Sequence, residues 1–184
     1  MRRCKALPRL WLFTDPRWDE EALQRAIARL PKGAAGVIFR DYDAPDRPAR
    51  AVRLRQQTRA RRLIFIVAGD LRLAQRVKAD GVHLPSFART PALRRTPLCI
   101  TASAHHRQDM RRAQKTDAAL IFLSPIFATA SHPGARTLGR LGFAQLARHA
   151  HSKVAALGGM TARKARALTA LGAHGWGAID AWRS

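Results

Sequence analysis

The chain has 184 residues, 34 Lys plus Arg against 12 Asp plus Glu, a formal net charge of +22 and 47% hydrophobic residues. That composition excludes a disordered or collagen-like chain, and the length fits one domain, residues 1–184, with a sizeable core. The charge raises nucleic acid or another polyanion as a partner. The cations, however, are scattered arginines in runs no longer than two, with only six lysines, which is the pattern of a solvated surface.

Leu10–Thr14 is the first of eight short apolar runs. Asp15 and Pro16 end it at once, so the basic N-terminus has no signal-peptide core. No apolar stretch approaches the ~20 residues that span a bilayer. The expectation is a cytoplasmic protein with no membrane partner. Asp19-Glu20-Glu21 then places acids at a helix start, Ala22, Ile27 and Leu30 continue it, and Lys32-Gly33 closes it. Gly36–Arg40, Leu63–Ala68 and Gly81–Leu84 are the next runs, and His83 inside the fourth reads as a hydrogen-bonded core histidine. Leu98–Ser103 is the fifth, where Cys99 reads as a small buried hydrophobe; with Cys4 it makes two cysteines, too few for a disulfide framework or a cysteine zinc site. A helix over His106 to Lys115 leads to the sixth run, Ala118–Ser124. Lys153–Gly158 is the seventh. Thr161 N-caps a helix to Leu171 that Gly172 stops, and Gly175–Asp180 is the last run.

Continuous apolar runs suit strands covered on both faces, as in a parallel sheet. Strict alternation of eight such strands with helices predicts a (β/α)8 TIM barrel. The competing doubly wound sheet lacks its Gly-x-Gly-x-x-Gly turn after the first strand. The chain stops four residues after Asp180, so the last helix is expected to be short or missing. Trp176 and Trp182 lie near the resulting gap, which a partner subunit of a homodimer or the N-terminal segment is expected to cover.

In such a barrel, function gathers at the C-terminal ends of the strands. Those positions hold Asp15, Arg40, Asp41, Gly69, Asp70, Ser103, His105, Ser124, Gly158, Gly159 and Asp180. The long loop after the sixth strand adds Thr129, Ser131, His132 and Arg136, hydroxyls and cations suited to an anion or, equally, to a polar surface. Gly158 and Gly159 open a helix, where a backbone can approach phosphate or simply turn tightly. His105 stands either in the cleft or in a structural role.

Taken in order, these segments resemble the thiamine phosphate synthase and thiazole tautomerase superfamily. Leu10-Trp11-Leu12-Phe13-Thr14-Asp15 is similar to its Leu-Tyr-Leu-Val-Thr-Asp, and Asp80-Gly81-Val82-His83-Leu84 to its Asp-Gly-Val-His-Leu. Ser103-Ala104-His105 matches Ser-x-His. Ser124-Pro125-Ile126-Phe127-Ala128-Thr129, then Pro133-Gly134 and Leu138-Gly139, resembles Gly-Pro-Val-Phe-Pro-Thr, Pro-Gly and Leu-Gly. Leu157-Gly158-Gly159-Met160 resembles Ile-Gly-Gly-Ile. The resemblance implies a barrel that couples an aminopyrimidine pyrophosphate to a thiazole phosphate, giving thiamine phosphate and pyrophosphate with Mg²⁺ as cofactor. It implies that Arg40 and Ser103 hold pyrophosphate, that Thr129 and Ser131 contact the thiazole phosphate, and that Gly159 offers its N–H to phosphate. His132 stands where the family has a pyrophosphate-binding lysine.

The chain also departs from the family. Ile38 and Tyr42 replace a Gln and a Lys of the second strand. Asp70 falls one position beyond a family metal ligand. Pro85-Ser86-Phe87-Ala88 carries no counterpart of the other, and Asp180 replaces a serine. In the tautomerase branch, Pro125 stands at the catalytic histidine's place, so His105 or His132 would have to act as acid or base. Three readings follow: a synthase-like transferase, a non-catalytic or regulatory barrel that binds phosphorylated ligands, and a polyanion or nucleic-acid binder.

Overall fold

The computed structural model describes residues 6–87, 96–131 and 134–182. Eight parallel strands close into a barrel in sequence order, from β1 pairing β2 round to β8 pairing β1. They are β1 Leu10–Phe13, β2 Ala35–Phe39, β3 Ile64–Ala68, β4 Gly81–Leu84, β5 Cys99–Ala104, β6 Leu120–Leu123, β7 Lys153–Ala156 and β8 Gly175–Ala178. All eight expected runs are strands. Nearly every residue in them is buried, because the interior covers one face and the helices the other. Cys99 is buried as expected and is not a free thiol.

The helices are α1 Glu20–Arg29, α2 Arg47–Ala60, α3 Leu71–Arg76, α4 Arg107–Gln114, α5 Gly139–Ala147 and α6 Ala162–Thr169. Asp19 caps α1 by accepting from the Ala22 amide, and Leu23, Ala26 and Ile27 face the barrel. Thr161 caps α6 by accepting from the Lys164 amide, and His106 caps α4.

The interior is filled from β1. Trp11 and Phe13 each meet the Phe122 ring edge to face, at 5.6 and 4.9 Å between centroids. Their size requires glycine alongside. A Cβ on Gly36 of β2 would stand 2.3 Å from the Trp11 ring, and one on Gly177 of β8 would stand 2.8 Å from Phe13.

After β8 the described residues make a single 3-10 turn, Asp180–Trp182. The expected gap is covered from within. Trp182 stacks on Trp176 at 5.4 Å and 15°, and Trp176 is only 8% exposed. The segment before β1 closes the same seam: the Trp176 amide donates to the Arg9 carbonyl at 2.8 Å, and His174 Nε2 donates to the Leu7 carbonyl at 3.0 Å. Trp182→Ala uncovers Trp176, and we expect a loss of about 1–2 kcal/mol with a red-shifted tryptophan emission. Unchanged melting and emission would show that the stack contributes nothing. No helix among the described residues is long and apolar enough to cross a membrane.

Candidate functional site

A cavity of about 720 Å³ opens at the C-terminal ends of the strands. Its lining brings together Arg40, Ser103, His105, Thr129, Ser131, Arg136, Gly158 and Gly159 from four of the strand ends and their loops, with Asp180 at a fifth. His132 lies outside the described residues. Asp70 is not in this lining.

Arg40, one residue past β2, is held in place rather than loose. Its Nε donates to the Thr14 carbonyl at 3.0 Å and its terminal nitrogen to Asp15 at 3.3 Å, with the guanidinium 5.5 Å over the Phe13 ring. Burial lowers its pKa from the ordinary arginine value, which still leaves a guanidinium charged. Burial raises the Asp15 pKa, but hydrogen bonds from Arg17 and the charges of Arg17 and Arg40 outweigh it, leaving the group below the usual carboxylate value. Arg17 also reaches Asp180 at 3.4 Å, so one arginine ties the loop after β1 to the turn after β8.

Behind Ser103 runs a buried chain of hydrogen bonds. His83 Nδ1 lies 2.9 Å from Thr101 Oγ1 and its Nε2 lies 2.8 Å from Ser103 Oγ. His83 is thus the core histidine expected, and it also orients the Ser103 hydroxyl in the cavity wall. Burial, aided by the Arg40 charge, pushes its pKa down to about 3, so it stays neutral when folded. In the unfolded chain it titrates near ~6.5. The unfolded state therefore binds the extra proton between these values, and stability falls as pH drops below about 6.5. We expect His83→Gln, which cannot protonate, to remove roughly 2 kcal/mol of the loss between pH 7 and pH 5, read from urea midpoints. An unaltered pH slope would contradict this.

His105 Nδ1 donates to the Ser124 carbonyl at 2.7 Å, which leaves Nε2 as the acceptor nitrogen. Thr129 and Ser131 hydroxyls lie 3.1 Å apart. The loops after β6 and β7 are sewn together. The Phe127 amide donates to the Gly158 carbonyl at 3.1 Å, and Lys164 Nζ donates to the Gly159 carbonyl at 2.8 Å while lying 4.8 Å over the Phe127 ring. Gly159 has φ +61°, and a Cβ there would stand 2.3 Å from the Ala128 carbonyl oxygen.

The thiamine monophosphate synthase family model matches residues 10–182. The chain belongs to the thiamine monophosphate synthase family. A protein of Aquifex aeolicus, provisionally named thiamine-phosphate synthase 2, is 35% identical over 95% of this chain and 97% of its own length. The thiamine-phosphate synthase of Chloroflexus aurantiacus is 29% identical over 94% of this chain and 84% of its own. The thiamine phosphate pyrophosphorylase structure from Pyrococcus furiosus superposes with a TM-score of 0.78 at 27% identity, covering 94% of this chain and 85% of that one.

The family resemblance implies Mg²⁺, and the acids of this chain do not fit it. All 12 fall within the described residues. Those at the strand ends are committed to arginine. Asp15 pairs with Arg17 and Arg40. Asp41, 2% exposed, accepts from Thr14 at 2.5 Å and pairs with Arg50 at 3.1 Å. Asp70 caps α3 through the Leu73 amide at 2.9 Å and faces Arg47 at 3.5 Å. Asp180 lines the cavity and pairs with Arg17. A divalent ion of this kind wants several hard oxygen ligands with open lone pairs, and these carboxylates are turned to cations and a helix cap instead.

From the sequence, Tyr42 and Phe87 stand out only as departures from the family pattern, and Arg17 and Lys164 carry no role. Tyr42 and Phe87 line the cavity from the loops after β2 and β4, so proximity to the C-terminal strand ends was the signal that could have found them. Nothing local marks Arg17 or Lys164, whose partners are set by the fold.

Proposed function

We propose that this cavity, in a single barrel domain spanning residues 1–184, binds the phosphorylated precursors of thiamine phosphate. In this reading it joins the aminopyrimidine pyrophosphate to the thiazole phosphate and releases pyrophosphate. What supports the reading is the convergence of Arg40 and Ser103 with Thr129, Ser131, Arg136, Gly158 and Gly159 on one cavity of about 720 Å³, a volume in the usual range for small-molecule sites. Arg40 and the oriented Ser103 hydroxyl take the pyrophosphate. Thr129, Ser131, Arg136 and the Gly158–Gly159 amides take the phosphate of the other partner, while His132, at the place of the family's pyrophosphate-binding lysine, goes with the pyrophosphate. The carbon–oxygen bond to pyrophosphate breaks with its electron pair leaving on oxygen, and the thiazole nitrogen bonds to that carbon. No proton has to move, so groups that hold negative charge matter more than a base, and His105 serves to shape the site. This reading places the protein in the cytoplasm, with no nucleic acid as partner.

The arginine-committed acids favour a second reading, a barrel that binds phosphorylated ligands without turnover. The deciding experiment incubates the protein with both substrates, with Mg²⁺ or with EDTA, and follows thiamine phosphate, while calorimetry follows inorganic pyrophosphate and thiazole phosphate. Product formation is the expected result. Binding without turnover at high protein concentration selects the second reading. Binding of neither ligand overturns both.

A further inference from the structure

Two aromatic rings stand at the cavity rim, Tyr42 and Phe87, each three residues past the end of its strand. They meet edge to face with centroids 5.8 Å apart at 76°. Both are well exposed, Phe87 at 76% and Tyr42 at 39%, which is unusual for large apolar groups that could pack inward. Tyr42 is braced from behind. The Arg47 guanidinium lies 5.6 Å over its ring, and a Cβ on Gly69 would come within 3.1 Å of it, so that glycine leaves the ring its room. A braced ring thus holds an exposed one beside it.

Arg40 and Ser103 line the same cavity, and the Arg40 charge reaches Tyr42. The cavity therefore offers an apolar aromatic surface near a fixed cation, which is complementary to a planar ring bearing a phosphate or pyrophosphate group. We propose that Tyr42 and Phe87 form a stacking platform for the planar heteroaromatic ring of the ligand, so that this pair selects ring-bearing phosphates over bare ones. This rests on the binding reading above. It assigns ring selection to two side chains at positions where the chain departs from its family's sequence pattern. Stacking on the platform covers apolar surface that is otherwise open to water.

The test is calorimetry with two probes, inorganic pyrophosphate and the aminopyrimidine pyrophosphate, on the whole chain. Wild type should bind the ring-bearing probe more tightly. Phe87→Ala should weaken that probe by roughly 5- to 50-fold and leave inorganic pyrophosphate within about twofold. Phe87→Trp should restore the ring-bearing probe. Phe87 is exposed, so its truncation should not alter the melting curve. If pyrophosphate binds wild type and Phe87→Ala changes both probes equally or neither, the platform is wrong while the phosphate site stands. If pyrophosphate itself fails to bind wild type, the site reading falls and the platform with it.

Discussion

Arg40→Ala is expected to lower thiamine phosphate formation by on the order of 10²–10³-fold. The guanidinium is fixed before any ligand arrives, by the Thr14 carbonyl, Asp15 and the Phe13 ring. A pre-positioned donor of this kind needs little reorganisation when charge develops on a leaving group, and loss of one such donor costs ~2.7–4 kcal/mol in a transition state. Arg40→Lys keeps the charge but not the planar fork, so it should recover only part of the activity. The fold should survive both changes, because Asp15 retains Arg17 at 2.7 Å. Melting temperature is therefore the control: a large activity loss with a small shift supports the assigned role. Turnover within threefold of wild type would remove Arg40 from the site. Should the barrel bind without turnover, the same variant should weaken inorganic pyrophosphate to a similar degree.

Gly159→Ala is the second large effect, and it acts through the backbone. The residue sits at φ +61°, and its new Cβ would meet the Ala128 carbonyl oxygen at 2.3 Å and Phe127 at 2.9 Å. Neither neighbour is a flexible side-chain end, so one of the two loops must move. That movement also pulls on the Lys164 bond to the Gly159 carbonyl. We expect roughly 3 kcal/mol of destabilisation, about 6–12 °C in melting temperature for a chain of this size. Binding of thiazole phosphate should fall with it. A variant that melts and binds like wild type would show that the two loops are not closely packed. Lys164→Met offers a gentler test, since it removes the tie to Gly159 without the clash.

Much of the barrel was legible because its strands are covered on both faces, which turns each into an unbroken apolar run such as Ile64–Ala68. Helix starts were legible where a cap residue is local, as with Asp19 and Thr161. The cavity positions followed from the strand ends, since function in this architecture gathers there. What remained hidden are pairings between residues far apart in sequence. Asp70 stands at a strand end like a ligand, yet it caps α3 and faces Arg47, which arrives from α2. The apolar run around His83 marks it as a core residue, but its hold on Ser103 depends on the register of β4 against β5. The N-terminal segment and the two tryptophans are expected at the β8 seam, but the Trp182–Trp176 stack and the Trp176 bond to Arg9 are contacts that no local pattern reveals.

The two large rings of β1 also link positions distant in the chain. Trp11 occupies the space that a side chain on Gly36 would need, and Phe13 does the same for Gly177. Each pair is one volume shared between two residues, so a change at one partner alone either clashes or leaves a void. Across descendants of this sequence, the two members should therefore vary together: a smaller residue at position 11 licenses alanine at 36, and a smaller residue at 13 licenses it at 177. In double-mutant cycles that covariation becomes a non-additive coupling, with each compensated pair more stable than the sum of its single changes.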